Sequence, residues 1–249
     1  MKVKAVVAML TAAAIAGANA AQVTVMSGGA VKSAFTAAAG DWEKKSGNQV
    51  SAAFAPAGDL RKKVAAGEVA DILIVPAENL PEVEAALVAG SRRDLGVVAM
   101  GAAVKLGAPM PDISTPDALR RTLLAAKSLT YMDPTRGTSG KHFDESVLPK
   151  LGVRDEVRAK ATLGEGGFIA EKVARGEVEI AFHQMTEMLP VAGVAIVGPL
   201  PAELQKLTVY AGAVMKGAKN PREAQALLDY IASPEGRKAF LERGFTLPR

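Results

Sequence analysis

Ten residues, Tyr131-Met132-Asp133-Pro134-Thr135-Arg136-Gly137-Thr138-Ser139-Gly140, have the types and spacing needed to hold an anion. Pro134 cannot continue a β-ladder, Gly137 and Gly140 tolerate unusual φ, and Thr138 or Ser139 can cap a helix that follows. Such a turn aims backbone N–H groups and two hydroxyls at one point. The helix dipole adds partial positive charge there, and Arg136 adds a full one. The same composition also serves an ordinary strand-to-helix loop. Three more stretches repeat the pattern: Ser27-Gly28-Gly29, Pro56-Ala57-Gly58 and Glu165-Gly166-Gly167.

The elements that position these turns follow from periodicity. Gln22 to Met26 reads as a strand, followed by a helix with Val31, Ala34, Phe35, Ala38 and Trp42 on one side. Gln49 to Phe54 alternates as a second strand, and Asp59 is placed to cap a helix over Leu60 to Ala66. Asp71 to Val75 is a continuous apolar run suited to a buried parallel strand. A helix over Leu80 to Val88 and a strand over Leu95 to Met100 complete the first half. Thr115 caps a helix to Ala126, then come the strand Leu129 to Met132 and a helix to Leu151. A helix over Phe168 to Arg175 and the strand Glu179 to Phe182 precede His183-Gln184-Met185-Thr186-Glu187. Strands over Val194 to Val197 and Leu207 to Val214 lead to helices over Pro221 to Ala232 and Pro234 to Arg243. Strands alternating with helices define an α/β fold of mostly parallel sheets wrapped by helices. In such sheets ligands sit at the C-terminal ends of strands, where all four glycine turns fall.

Composition narrows the function classes. Hydrophobic residues make up 49% and charged residues 22%, so a sizeable core is available. Aromatics are only 4%, with one tryptophan, which argues against a stacking platform for nucleic acid. Lys2 and Lys4 precede an uncharged run to Ala18, and Ala18-Asn19-Ala20 offers the small residues a signal peptidase reads. A cleavable secretory signal over residues 1–20 is expected. Removing its two lysines leaves a net charge of +2, too nearly balanced to call for nucleic acid or an anionic membrane. The chain has no cysteine, so neither a disulfide framework nor a thiolate metal site is available. Two well-separated histidines without a paired carboxylate at ligand spacing give no metal site, and no cofactor is expected.

Several stretches resemble the periplasmic solute-binding proteins of the molybdate-binding type. They are Phe54 to Pro76, Asp133-Pro134 with its glycine loop, Arg175-Gly176-Glu177, and Ser233-Pro234-Glu235-Gly236 through Gly244-Phe245. The resemblance implies two α/β lobes joined by crossing strands, with an anion clamped between them and passed to an ABC importer. It implies lobe one over 21–100 plus 208–249, lobe two over 101–207, and a monomer in the periplasm. At positions where that family places pocket hydroxyls this chain has Ala30, Ala57 or Gly58, and Gln184. Ser139 and Arg136 are gains. That exchange favours an organic carboxylate at least as much as a compact oxyanion. The ligand wall expected on this basis comprises Ser27, Gly28, Gly29, Ala57, Gly58, Arg136, Gly137, Thr138, Ser139, Gly166, Gly167 and Gln184.

Two further stretches, Asp112-Ile113-Ser114 with Ala118 to Ser128, and Phe182 to Val191 with Gly193-Val194, resemble a branch that includes aconitate isomerases. That implies an alternative function, proton transfer in an unsaturated tricarboxylate, which needs a positioned base and donors for the intermediate. His183, Glu165 and Glu187 are then the candidate bases. Each also has a plainer reading: an interior histidine, a solvated loop carboxylate and a helix-cap partner, respectively. His142 reads as a solvated helix residue.

Overall fold

The computed structural model describes residues 20–248. The expected signal over residues 1–20 lies outside the described residues, apart from Ala20. Among the described residues, ten strands form two five-stranded sheets. The first half supplies β1 (Gln22–Gly28), β2 (Gln49–Ala55), β3 (Ile72–Pro76), β4 (Arg93–Val98) and β5 (Met100–Lys105). The second supplies β6 (Leu129–Met132), β7 (Ala161–Gly164), β8 (Ile180–Gln184), β9 (Val194–Pro199) and β10 (Thr208–Val214). The first sheet runs β2-β1-β3-β10-β4 and the second β7-β6-β8-β5-β9. In each, four strands point one way. One strand, β10 in the first and β5 in the second, pairs antiparallel with both neighbours.

Those two strands record how the chain crosses between lobes. The expected single strand Leu95 to Met100 breaks at Ala99, so that β4 stays in the first sheet while β5 enters the second. The chain returns between β9 and β10, where Gln205 braces the crossing. Its side chain accepts from Met100 N at 2.9 Å and donates to Met100 O at 2.7 Å.

Strand alternation sorts the side chains into layers on both faces. On β1, Val23 and Val25 pack with Ile72, Ile74, Phe35 and Trp42, whereas Met26 packs on the opposite face with Leu73, Val75 and Leu60. The helix α1 (Lys32–Ser46) lays Ala34, Phe35, Ala38 and Trp42 on the first of these layers. In the second sheet, Met100, Ala102 and Val104 of β5 face one core and Ala103 faces the other.

Three local expectations are corrected. Asp59 does not cap its helix: α2 (Ala57–Ala65) starts three residues earlier, behind Pro56, and places Asp59 in its first turn. The stretch Ala77–Ala86 is a 3-10 helix, because Pro81 inside it removes a backbone donor. Of the helix expected over Phe168 to Arg175, only Glu171–Ala174 is α-helical. By contrast, α3 (Pro116–Ala125) is capped as expected, with Thr115 accepting from Ala118 N at 3.2 Å. The helix beginning at α4 (Thr138–His142) continues through a π turn, Phe143–Val147, to Leu151.

Candidate functional site

A cavity of about 670 Å³ lies between the lobes. Its wall includes the C-terminal ends of β1, β2, β6, β7 and β8, through Gly28, Ala55, Met132, Gly164 and Gln184. Strand ends converging on one crevice are where an open α/β sheet places its ligand.

From lobe one, Gly28 and Gly29 lead into a short 3-10 turn, Gly29–Val31, and then α1. Glycine at Gly29 leaves room for Glu187: a Cβ there would lie 2.5 Å from Glu187 Oε1 and would displace that carboxylate. From lobe two, Asp133 organises the opposing loop. Its carboxylate accepts from Thr135 N and Oγ1 at 2.8 and 2.7 Å, which lowers its pKa, and its carbonyl accepts from Arg136 N and Gly137 N. Gly137 then leads into α4 with no side-chain cap, so no side chain claims the first amides of that helix, and Gly137, Thr138 and Ser139 line the cleft. Gly140 packs directly on Met132; a Cβ there would lie 1.9 Å from the Met132 carbonyl oxygen. The glycine therefore lets the helix start sit against the end of β6.

Ser139, His183 and Glu187 come together at the floor of the cavity, all nearly buried. Ser139 Oγ lies 3.0 Å from His183 Nδ1, and His183 Nε2 lies 3.2 Å from Glu187 Oε2. The second contact is off-axis for a hydrogen bond, leaving Nε2 without a well-aligned partner. With the proton on Nε2, Nδ1 accepts from the Ser139 hydroxyl; with it on Nδ1, the ring donates to Ser139 Oγ. Sequence spacing alone gave no serine–histidine–carboxylate arrangement, because Ser139 comes from a different strand-to-helix turn. Two of the three candidate bases thus meet. The third, Glu165, is largely exposed at the rim, 3.8 Å from Arg136 Nη1.

Of the expected ligand wall, Gly28, Gly29, Ala57, Arg136, Gly137, Thr138, Ser139, Gly166, Gly167 and Gln184 line the cavity. Two positions are corrected. Ser27 is fully buried behind the wall and donates its hydroxyl to Gly28 O at 3.2 Å. Gly58 faces away from the cavity, and its amide donates to Arg136 O at 2.9 Å across the lobes. Arg136 is at the rim, but its guanidinium is engaged: Nε and Nη2 donate to Asp59 Oδ2 at 3.1 and 2.8 Å. Asp59 belongs to the first lobe, so the anion clamp expected of Arg136 is an interlobe ion pair, which also raises the arginine pKa. His142 is half-buried rather than solvated; it donates from Nε2 to Leu204 O at 2.8 Å, and burial lowers its pKa.

Among the wall residues that sequence reasoning missed are Lys32, Phe54, Phe168 and Tyr210. Tyr210 enters from β10 and donates its hydroxyl to Gln184 Oε1 at 2.9 Å, bridging the lobes; burial raises its pKa. The pocket hydroxyl absent at position 184 is thus met by one from the other lobe. No pattern on β10 marks it, because a buried strand tyrosine is normally core. Among the described residues no group of three or more His, Asp or Glu stands where it could hold a metal ion.

Two α/β lobes with a cleft between them are the architecture of solute-binding proteins. Residues 23–246 match the model of the bacterial extracellular solute-binding protein family, and the chain belongs to that family, which operates outside the cytoplasm. It is 34% identical over 228 residues to an aconitate isomerase from a Pseudomonas species, covering 89% of this chain and 86% of that protein. It is 26% identical over 247 residues to the Escherichia coli molybdate-binding protein ModA, covering 94% and 93%. The Azotobacter vinelandii periplasmic molybdate-binding protein has the same fold, with a TM-score of 0.77 at 17% identity over 91% of this chain and all of that one.

Proposed function

We propose that the cleft clamps a small organic anion carrying one or more carboxylates. On this reading the protein is exported to the periplasm by a signal cleaved after Ala20. It acts there as a monomer, handing its ligand to the permease of an ABC importer. One observation carries the ligand class: a cavity of about 670 Å³ onto which glycine turns, the uncapped start of α4 and the Lys32 side chain converge. That volume lies in the range of organic-ligand pockets and exceeds what a four-oxygen anion fills. Closure follows when the ligand bridges both lobes. The test is calorimetric titration of the secreted form with acetate, succinate, citrate, cis- and trans-aconitate, sulfate, molybdate and tungstate. Saturable binding of a carboxylate is expected; binding of molybdate or tungstate with no carboxylate binding overturns the ligand class.

A second reading is favoured by the Ser139–His183–Glu187 contact in the cavity floor and by the aconitate isomerase relative. A base in that group would remove a proton from the methylene of an unsaturated tricarboxylate. The electron pair would shift the double bond, and the proton would return at the far carbon of the three-carbon unit. The reaction balances with no oxidant or cofactor. The α4 amides and Lys32 would stabilise the dienolate charge. In deuterium oxide, trans-aconitate should then exchange and convert to the cis isomer. Binding without exchange removes this reading and leaves the first intact.

A further inference from the structure

Charged side chains in the cavity wall divide into those already neutralised and those not. Arg136 is paired with Asp59, Arg175 with Glu171 and Glu177, and Lys63 with Glu68. Lys172 has no carboxylate partner but donates to Leu163 O at 3.5 Å, whereas Lys32 has no carboxylate within ion-pair distance and no hydrogen-bond partner among the described residues. Its ammonium instead lies 5.8 Å from the centroid of Phe54, in its own lobe, and 5.3 Å from that of Phe168, in the other lobe. An ammonium with only ring faces beside it keeps nearly all its capacity to attract an anion, since each exposed cation–π contact contributes roughly 0.5–1 kcal/mol. Three donors on a flexible stem remain available to a ligand oxygen. The position is fixed by the fold: Lys32 opens α1 immediately after the 3-10 turn of Gly29–Val31, so its backbone sits at the cleft wall.

We propose that Lys32 is the specificity-determining charge of the cleft, selecting anions with two or three carboxylates over those with one. This rests on the organic-anion reading above. One carboxylate meets the Gly137-Thr138-Ser139 turn on the second lobe. A second carboxylate, borne by the same molecule, reaches the Lys32 ammonium on the first. Only a ligand with two separated anionic groups satisfies both walls. Phe54 and Phe168 flank the ammonium and exclude water from the contact as the lobes close, which strengthens it. Arg136, in contrast, holds the lobes to each other and contributes little to the choice of ligand.

The experiment compares citrate, trans-aconitate, succinate and acetate by calorimetry on the unaltered protein and on Lys32→Met and Lys32→Arg. Lys32 is exposed, so Lys32→Met should fold normally, as its circular dichroism and melting temperature will report. Loss of a charge-assisted contact should weaken tricarboxylate and dicarboxylate binding about tenfold or more, while acetate changes less than about twofold. Lys32→Arg should restore most of the preference. A parallel loss across all four ligands, or an unchanged ratio, overturns the assignment of Lys32 while leaving the organic-anion reading standing. If the unaltered protein binds no carboxylate at all, both fall.

Discussion

Two buried carboxylates in the second lobe have opposite surroundings. Asp144 has no solvent exposure and accepts five hydrogen bonds, from the Tyr131 hydroxyl and from the guanidinium groups of Arg154 and Arg158. Burial alone would raise its pKa; the arginine and tyrosine donors outweigh that and hold it down at about 2. Burial and the Asp144 carboxylate push Tyr131 up to about 12. Glu187 is almost as buried, yet among the described residues its one ion-pair-distance neighbour is the His183 imidazole, at 3.2 Å and off-axis. A carboxylate whose lone pairs are filled is committed to the fold, whereas one left half-partnered beside a cavity is available to a ligand or a proton.

The sharpest way to break this comparison is to strip Asp144 of its partners. Arg154→Gln combined with Arg158→Gln leaves a buried charge with only the Tyr131 hydroxyl. The expected loss is about 3–5 kcal/mol of unfolding free energy in urea, with ligand affinity of the folded fraction unchanged. A loss below about 1 kcal/mol would mean that Asp144 is not held by those arginines.

Acid tests the same group without mutation. The folded pKa of Asp144, about 2, lies below the ordinary aspartate value of about 3.9. The unfolded chain therefore takes up this proton first. The contribution of Asp144 is full above about pH 4 and is lost as pH falls toward 2, amounting to about 2 kcal/mol. His142 acts in the same direction at higher pH: burial lowers its pKa, so stability falls as pH drops through the ordinary histidine range. His142→Gln should remove the step near pH 6 and leave the one near pH 3, as read from urea midpoints against pH.

What could be read from the sequence divides along the same line. The strand and helix sites were legible because they rest on local periodicity: β1, β2, β6 and the last two helices lie within a few residues of where alternation and capping put them. So was the cavity, because glycine turns at strand ends imply a cleft. The break at Ala99 was not legible, since β4 and β5 form one apolar run whose division depends on pairing with β10 and β8. The contact of Ser139 with His183 and the entry of Tyr210 were equally hidden. Both join residues far apart in sequence, and neither changes any local pattern. Arg136 was legible as a cation in an anion loop, but its partner Asp59 sits 77 positions away.

Glu187→Gln tests the other half of the comparison. Removing a poorly partnered charge should change stability by no more than about 1 kcal/mol, in contrast to the Asp144 cluster. Any isomerisation of trans-aconitate should fall by about a hundredfold or more, the usual contribution of a general base, while anion binding holds or tightens because a negative charge has left the cavity. A large stability loss with unchanged turnover would make Glu187 a second structural carboxylate.

The smallest expected effect lies at Arg136, and its sign separates two roles. Asp59 and Arg136 are part-exposed, so solvent screening keeps the contribution of their pair small. If the pair only holds the lobes together, Asp59→Asn and Arg136→Ala should weaken ligand binding by similar small factors. The double variant should then be no weaker than either single one. If Arg136 instead turns to the ligand once the lobes close, Asp59→Asn frees it and binding tightens, while Arg136→Ala weakens binding. Gly58 favours the first outcome. Its amide already donates to the Arg136 carbonyl, and a Cβ there would come within 2.9 Å of that oxygen. Gly58→Ala should therefore weaken binding by displacing the Arg136 loop, with the Arg136 side chain still in place.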